Sequence, residues 1–150
     1  FGLVSTDPIN RVKMVDKRQR KMETMKADLP RAVHHGVDTA DIGFIGVGMA
    51  YGVILEAMDI LAAKGVHSQY HQMRTIWPML EETAAFTKRC KTIYVVEYNA
   101  TAQIANVIIA QGGDETNIRN FLKYDGTPMQ AEEIVAFVLE AEGLQEVDVA

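Results

Sequence analysis

Apolar positions repeat along this chain with two different periods. From Ile9 to about Ala27 the period is helical. Val12, Val15, Met22, Met25 and Leu29 stand three, seven and ten residues apart and share one helix face. The other face is basic, with Arg11, Lys13, Lys17, Arg18, Arg20, Lys21 and Lys26. Asp7 followed by Pro8 suits an N-cap and a first helical position, and Pro30 ends the helix. Residues 1 to 10 read as an extended start, and residues 30 to 40 as a polar loop carrying His34, His35 and Gly36. The pattern therefore predicts a lead-in segment with a basic amphipathic helix over residues 1–40. A single α/β domain follows over residues 41–150.

Strand-like and helix-like stretches alternate in that second part. Ile42, Phe44, Ile45 and Val47 mark a buried strand over 41–47. Ile54, Leu55, Met58 and Leu61 share the face of a helix over 49–64, with Gly65 placed to stop it. A more polar strand is predicted over 66–73, and a helix over 79–88 after Pro78. Thr92 to Val96 is a β-branched and aromatic run, the clearest strand signal in the chain. A helix over 101–111 ends at Gly112-Gly113, a short strand covers 118–124, and Asp125-Gly126-Thr127-Pro128 is a turn. An amphipathic helix over 130–142 closes the pattern before Gly143. Such alternation means βαβ units, hence a three-layer α/β/α sandwich around a mostly parallel sheet. Ligands of such sheets meet the loops leaving the carboxyl ends of the strands. Here those loops are residues 46–51, 74–78 and 97–101.

Composition narrows the class. Of 150 residues, 48% are hydrophobic and 23% charged, which excludes a largely disordered chain. The net charge of -5 argues against a dedicated nucleic-acid binder. The single cysteine, Cys90, excludes an internal disulfide framework and a cysteine-ligated iron–sulfur cluster built by this chain alone. No apolar run approaches the roughly 18 residues of a membrane span. A cytoplasmic domain that binds neither membrane nor nucleic acid is expected. The chain opens on Phe1 rather than Met, which suggests processing or a piece of a longer protein.

Candidate chemistry concentrates at two strand exits. Gly46-x-Gly48-x-x-x-Gly52 follows a strand and opens a helix. Glycines there let backbone N–H groups approach an anion, or simply allow close packing of helix on strand. The spacing is not the dinucleotide fingerprint, and the expected acidic residue after the second strand is missing, with Arg74 near its place. At the second exit, Glu97, Tyr98, Asn99 and Gln103 offer a carboxylate, a phenol and two amides at the sheet edge. Asn99 or Thr101 also suits capping of the next helix. His67 and His71 would share a strand face but have no neighbouring ligand to complete a metal site, so surface or interface positions are expected. His34 and His35 are expected in solvent. Arg89 and Lys91 flank Cys90 and would lower its pKa, yet no histidine adjoins it, so a packing role is expected. No catalytic residue and no metal ligand is assigned. Gly46, Gly48, Glu97, Asn99 and Gln103 are the candidate binding residues.

The order of these features resembles a known family. A basic helix, a glycine-turn strand and Ile76-Trp77-Pro78 are followed by Val95-Val96-Glu97-x-Asn99-x-x-x-Gln103. Lys123-x-Asp125-Gly126-x-Pro128 and Glu132-Glu133-Ile134 come next. Over about Arg11 to Leu139 the chain is similar to the carboxy-terminal domain of the alpha subunit of 2-oxoacid:ferredoxin oxidoreductases, a transketolase carboxy-terminal-like domain. Two departures stand out. The family's small-residue turn after the first strand is here Gly46-Val47-Gly48-Met49, and its frequent Gly before Gln103 is here Ala102.

The resemblance implies a parent enzyme that decarboxylates a 2-oxoacid on thiamine diphosphate with Mg2+. It passes electrons through an iron–sulfur cluster to ferredoxin and forms an acyl-coenzyme A. It implies that this chain is a terminal structural and interface domain, inactive by itself. Its partners would be the rest of the alpha subunit, the beta subunit and a second copy. Gly113-Asp114 lacks the downstream Asn-Asn of a metal–diphosphate motif. The competing expectations are an autonomous Rossmann-like nucleotide- or phosphate-binding domain and the carboxy-terminal domain of another thiamine-dependent enzyme.

Overall fold

The computed structural model describes residues 4–144, which form two compact units, one ending at Pro30 and one starting at Arg31. The first unit is built on helix α1 (Pro8–Thr24), extended by a 3-10 turn over Met25–Ala27. Asp7 caps it as expected, its carboxylate accepting from the N–H groups of Ile9 and Asn10 at 3.1 Å each. None of its side chains is buried. Arg11 and Arg18 lie beside Met14 along one groove. Positions 11, 14 and 18 are three and four apart and so fall on one side. The basic residues therefore surround the helix more widely than a simple two-faced pattern predicts.

The second unit is a five-stranded sheet between two helical layers. Strands β1 (Val33–Gly36), β2 (Ile42–Gly46), β3 (Ser68–Gln72), β4 (Thr92–Glu97) and β5 (Ile118–Leu122) lie in the order β1-β3-β2-β4-β5. All neighbours are parallel except β1, which pairs antiparallel with β3. Residues 30–40 thus contain an edge strand where a loop was expected. Four residues with two adjacent histidines carry no readable period, and the strand exists because β3 offers it a free edge.

Alternation in β2 and β4 assigns the two faces. Phe44, Tyr70, Tyr94 and Val96 pack under α2 (Ala50–Ala63) and α5 (Ala131–Ala141). Ile45, Ile93 and Val95 pack with residues of α3 (Glu81–Thr87) and α4 (Gln103–Ala110). The three-layer α/β/α sandwich with a mostly parallel sheet is therefore the observed architecture. Every parallel strand has its carboxyl end on the same edge, and that edge gathers the candidate residues.

Candidate functional site: the carboxyl edge of the sheet

The connection from β4 to α4 is organised by two side chains. Glu97 is the last residue of β4 and is buried. Its Oε2 accepts from the Ile104 N–H at 2.7 Å and from the Asn99 amide Nδ2 at 2.7 Å, and its Oε1 accepts from the Ala105 N–H at 3.1 Å. Asn99 Oδ1 accepts from the Thr101 and Gln103 N–H groups at 3.0 and 3.3 Å. Together the two side chains satisfy the backbone donors of Gln103, Ile104 and Ala105, the first turn of α4. A helix start leaves such donors without intrahelical partners and favours a negative charge. A buried carboxylate is costly unless it is hydrogen-bonded, and this one makes three such contacts. The path into α4 requires Ala102 at φ 51 and ψ 49, the left-handed region.

The second exit carries the glycine turn. A Cβ on Gly46 would stand 2.5 Å from Ile54 Cδ1 and 3.2 Å from Ala50 Cβ. This glycine lets α2 approach β2, and its carbonyl accepts from the Met73 N–H at 3.1 Å. Gly48 has φ +54 and open space around a would-be Cβ.

Gly48, Glu97, Asn99 and Gln103 come together around a crevice of about 310 Å³, also lined by Val47, Met49, Val96, Tyr98 and Ile104. Gly46 lies beneath it among packing atoms and does not line it. Met49 and Tyr98 also border a neighbouring groove of about 650 Å³ with Lys123, Tyr124, Gly126, Thr127 and Pro128. Met49 is 77% exposed, Tyr124 69% and Trp77 59%. The strand exits thus present a shelf of large apolar side chains. Sequence reasoning singled out the polar groups of this edge, the Tyr98 phenol among them, and passed over Met49 and Tyr124. The available signal was apolar residues at loop positions just after strands.

The groove's rim is held from behind. Lys123 Nζ contacts Glu133 Oε1 at 2.6 Å and Asp125 Oδ2 at 3.0 Å. Asp125 Oδ1 accepts from the Thr127 N–H at 2.9 Å. The Thr127 amide first, then the Lys123 ammonium, hold the Asp125 carboxyl down to about 2. Glu133 reaches back to the Gln130 N–H at 2.9 Å, completing a capping box on α5.

The remaining candidates serve the core. His67 precedes β3 and is exposed, because pairing with β2 starts at Ser68. His71 is fully buried rather than at a surface. Its Nε2 lies 2.9 Å from Thr83 Oγ1 and its ring stacks on Phe86. Burial first, then the adjacent His34 and Arg89, lower its pKa to about 3, so it is neutral. His34 is exposed, as expected, and its ring also meets those of His71 and Phe86. Cys90 packs in the core, as expected, but its pKa moves the opposite way. Burial pushes its thiol up to about 11 and outweighs Arg89, so the flanking cations do not activate it. Among the described residues no three His, Cys, Asp or Glu side chains converge as metal ligands. Asp114 has its Oδ1 engaged by the N–H and hydroxyl of Thr116 at 3.0 and 2.7 Å.

No family model matches the chain. Two relatives from Aeropyrum pernix do. The chain is 28% identical over 148 residues to 2-oxoacid:ferredoxin oxidoreductase 2, subunit alpha, covering 92% of this chain and 22% of the relative. It is 26% identical over 146 residues to 2-oxoacid:ferredoxin oxidoreductase 1, subunit alpha, covering 93% and 23%. Among solved structures, the 2-oxoglutarate:ferredoxin oxidoreductase of Magnetococcus marinus, with 2-oxoglutarate, coenzyme A and succinyl-CoA bound, superposes with a TM-score of 0.80 at 30% identity. That match covers 93% of this chain and 24% of that one. A split gene transketolase, an inactive beta4 tetramer, shares the fold with a TM-score of 0.60 at 18% identity over 77% of this chain and 42% of that one.

The fold is that of a transketolase carboxy-terminal-like domain. Over about nine-tenths of its length the chain is similar to the alpha subunits of 2-oxoacid:ferredoxin oxidoreductases, and it corresponds to a carboxy-terminal part of them. It spans less than a quarter of the length of the curated relatives it matches.

Proposed function

We propose that this chain is a structural and interface domain of the alpha subunit of a 2-oxoacid:ferredoxin oxidoreductase, and that it carries no catalytic group. One observation carries the reading. At the carboxyl edge, where an α/β sheet builds its sites, the carboxylate of Glu97 and the amide of Asn99 are consumed in starting α4. Beside them the large side chains of Met49 and Tyr98 are exposed. Such an edge is built to be covered by protein. The parent complex would act in the cytoplasm and convert a 2-oxoacid to an acyl-coenzyme A. Its partners would be the rest of the alpha subunit, the beta subunit, a second copy and ferredoxin.

Thiamine diphosphate with Mg2+ would supply the carbanion chemistry of that complex, and an iron–sulfur cluster its electron transfer. The residues of this chain do not fit either group. Asp114, the acid of the Gly113-Asp114 pair, is committed to its own turn, and Cys90 is one buried thiol where a cluster takes four. Both groups belong elsewhere in the parent complex.

The test is a melting titration of the chain with NAD(H), NADP(H) and thiamine diphosphate plus Mg2+. A ligand at 100 times its Kd would add about 2.7 kcal/mol of stability. No shift with any of them is expected. A clear shift with a dinucleotide would replace this reading with that of an autonomous Rossmann-like domain.

A further inference from the structure

Charge is divided unevenly along the chain. Residues 1–30 carry seven Lys and Arg against four Asp and Glu, while residues 31–150 carry eight against sixteen. Helix α1 holds Lys13, Lys17, Arg20 and Lys21, all exposed, at spacings that place them on one side. Ile9 heads the same stripe four residues before Lys13 and is 67% exposed. A 17-residue helix is marginal by itself in water and takes most of its stability from packing, yet this one buries no side chain.

The complementary surface is the layer formed by α2 and α5. The two helices contain Glu56, Asp59, Glu132, Glu133 and Glu140 and not one Lys or Arg. Glu56, Asp59, Glu132 and Glu140 are exposed, and the half-buried Val53 and Ile60 flank Glu56 at helical spacing. A surface of one sign with an apolar centre is what a basic helix headed by an isoleucine fits. An anionic membrane or a nucleic acid would meet the same stripe, but the acidic excess of residues 31–150 repels both.

We infer that the basic stripe of α1 in one copy docks on the acidic α2–α5 layer of a second copy. The contact is reciprocal, each copy giving its helix and receiving its partner's, as a two-fold dimer requires. It is electrostatic at its rim and is therefore weakened by salt. This surface is separate from the carboxyl-edge shelf, so its test leaves the reading of the shelf to a test of its own.

Sedimentation of the full chain at 20 mM and 500 mM NaCl measures it. A dimer at low salt, weakened at least tenfold at high salt, is expected. A stripe variant (Lys13→Glu, Lys17→Glu, Arg20→Glu) and a layer variant (Glu56→Lys, Asp59→Lys, Glu140→Lys) should each self-associate at least tenfold more weakly at low salt, while melting like the parent chain at 500 mM NaCl, where the contact is weakened in all three. Mixed together, they should form a heterodimer. A chain that stays monomeric at low salt overturns the inference. So does a dimer that both variants leave intact, or two variants that do not recognise each other.

Discussion

Ala102 shows how much one backbone dihedral can reveal. It sits at φ 51, the one non-glycine residue of positive φ among those described, where the resembling family often has glycine. A left-handed alanine costs roughly 1–2 kcal/mol, and glycine gives back part of that through its greater freedom in the unfolded chain. Ala102→Gly is therefore expected to raise stability by about 0.5–1 kcal/mol, read as a higher urea midpoint at constant slope. Asn99→Ala, which removes the acceptor for the Gln103 and Thr101 amides, should lower it by about 1 kcal/mol. If both variants melt like the parent, the β4–α4 connection is not held as described. The polar residues of this edge were legible in the sequence because their types are those that cap helices. That Glu97 would cap at a distance of seven and eight residues was not legible, because the fold has to bring β4 and α4 end to end first.

At the scale of elements, the strands and helices of the parallel core followed from periodicity. β4 needed only its run of β-branched and aromatic residues, and α2 its apolar face. β1 escaped, because an antiparallel edge strand of four residues is fixed by its neighbour and not by its own pattern. The link from β5 to α5 belongs to this scale too. Lys123 joins Asp125 and Glu133, and both carboxyls ionise below their ordinary values. A depressed carboxyl contributes stability above its unfolded value, near 4, and loses it as pH falls through its folded value. Lys123→Met should therefore cost stability at pH 6, and the gap to the parent chain should shrink between about pH 4.5 and 2. Urea midpoints of both proteins across that range check this, and a gap constant with pH would contradict it.

At the scale of the whole molecule, the proposed interface role rests on the carboxyl edge, which leaves large apolar side chains exposed. Its polar groups close on themselves around Glu97 and Lys123, and Met49, Tyr98 and Tyr124 face outward. That division of labour suits a domain that completes a larger subunit. The direct test is to titrate the chain with the remaining portion of a 2-oxoacid:ferredoxin oxidoreductase alpha subunit from the same genome, following sedimentation. A one-to-one complex is expected, with Tyr98→Asp combined with Tyr124→Asp weakening it at least tenfold while the chain's own melting temperature holds. No complex, or a complex indifferent to those two substitutions, would contradict the claim that this edge is an interface.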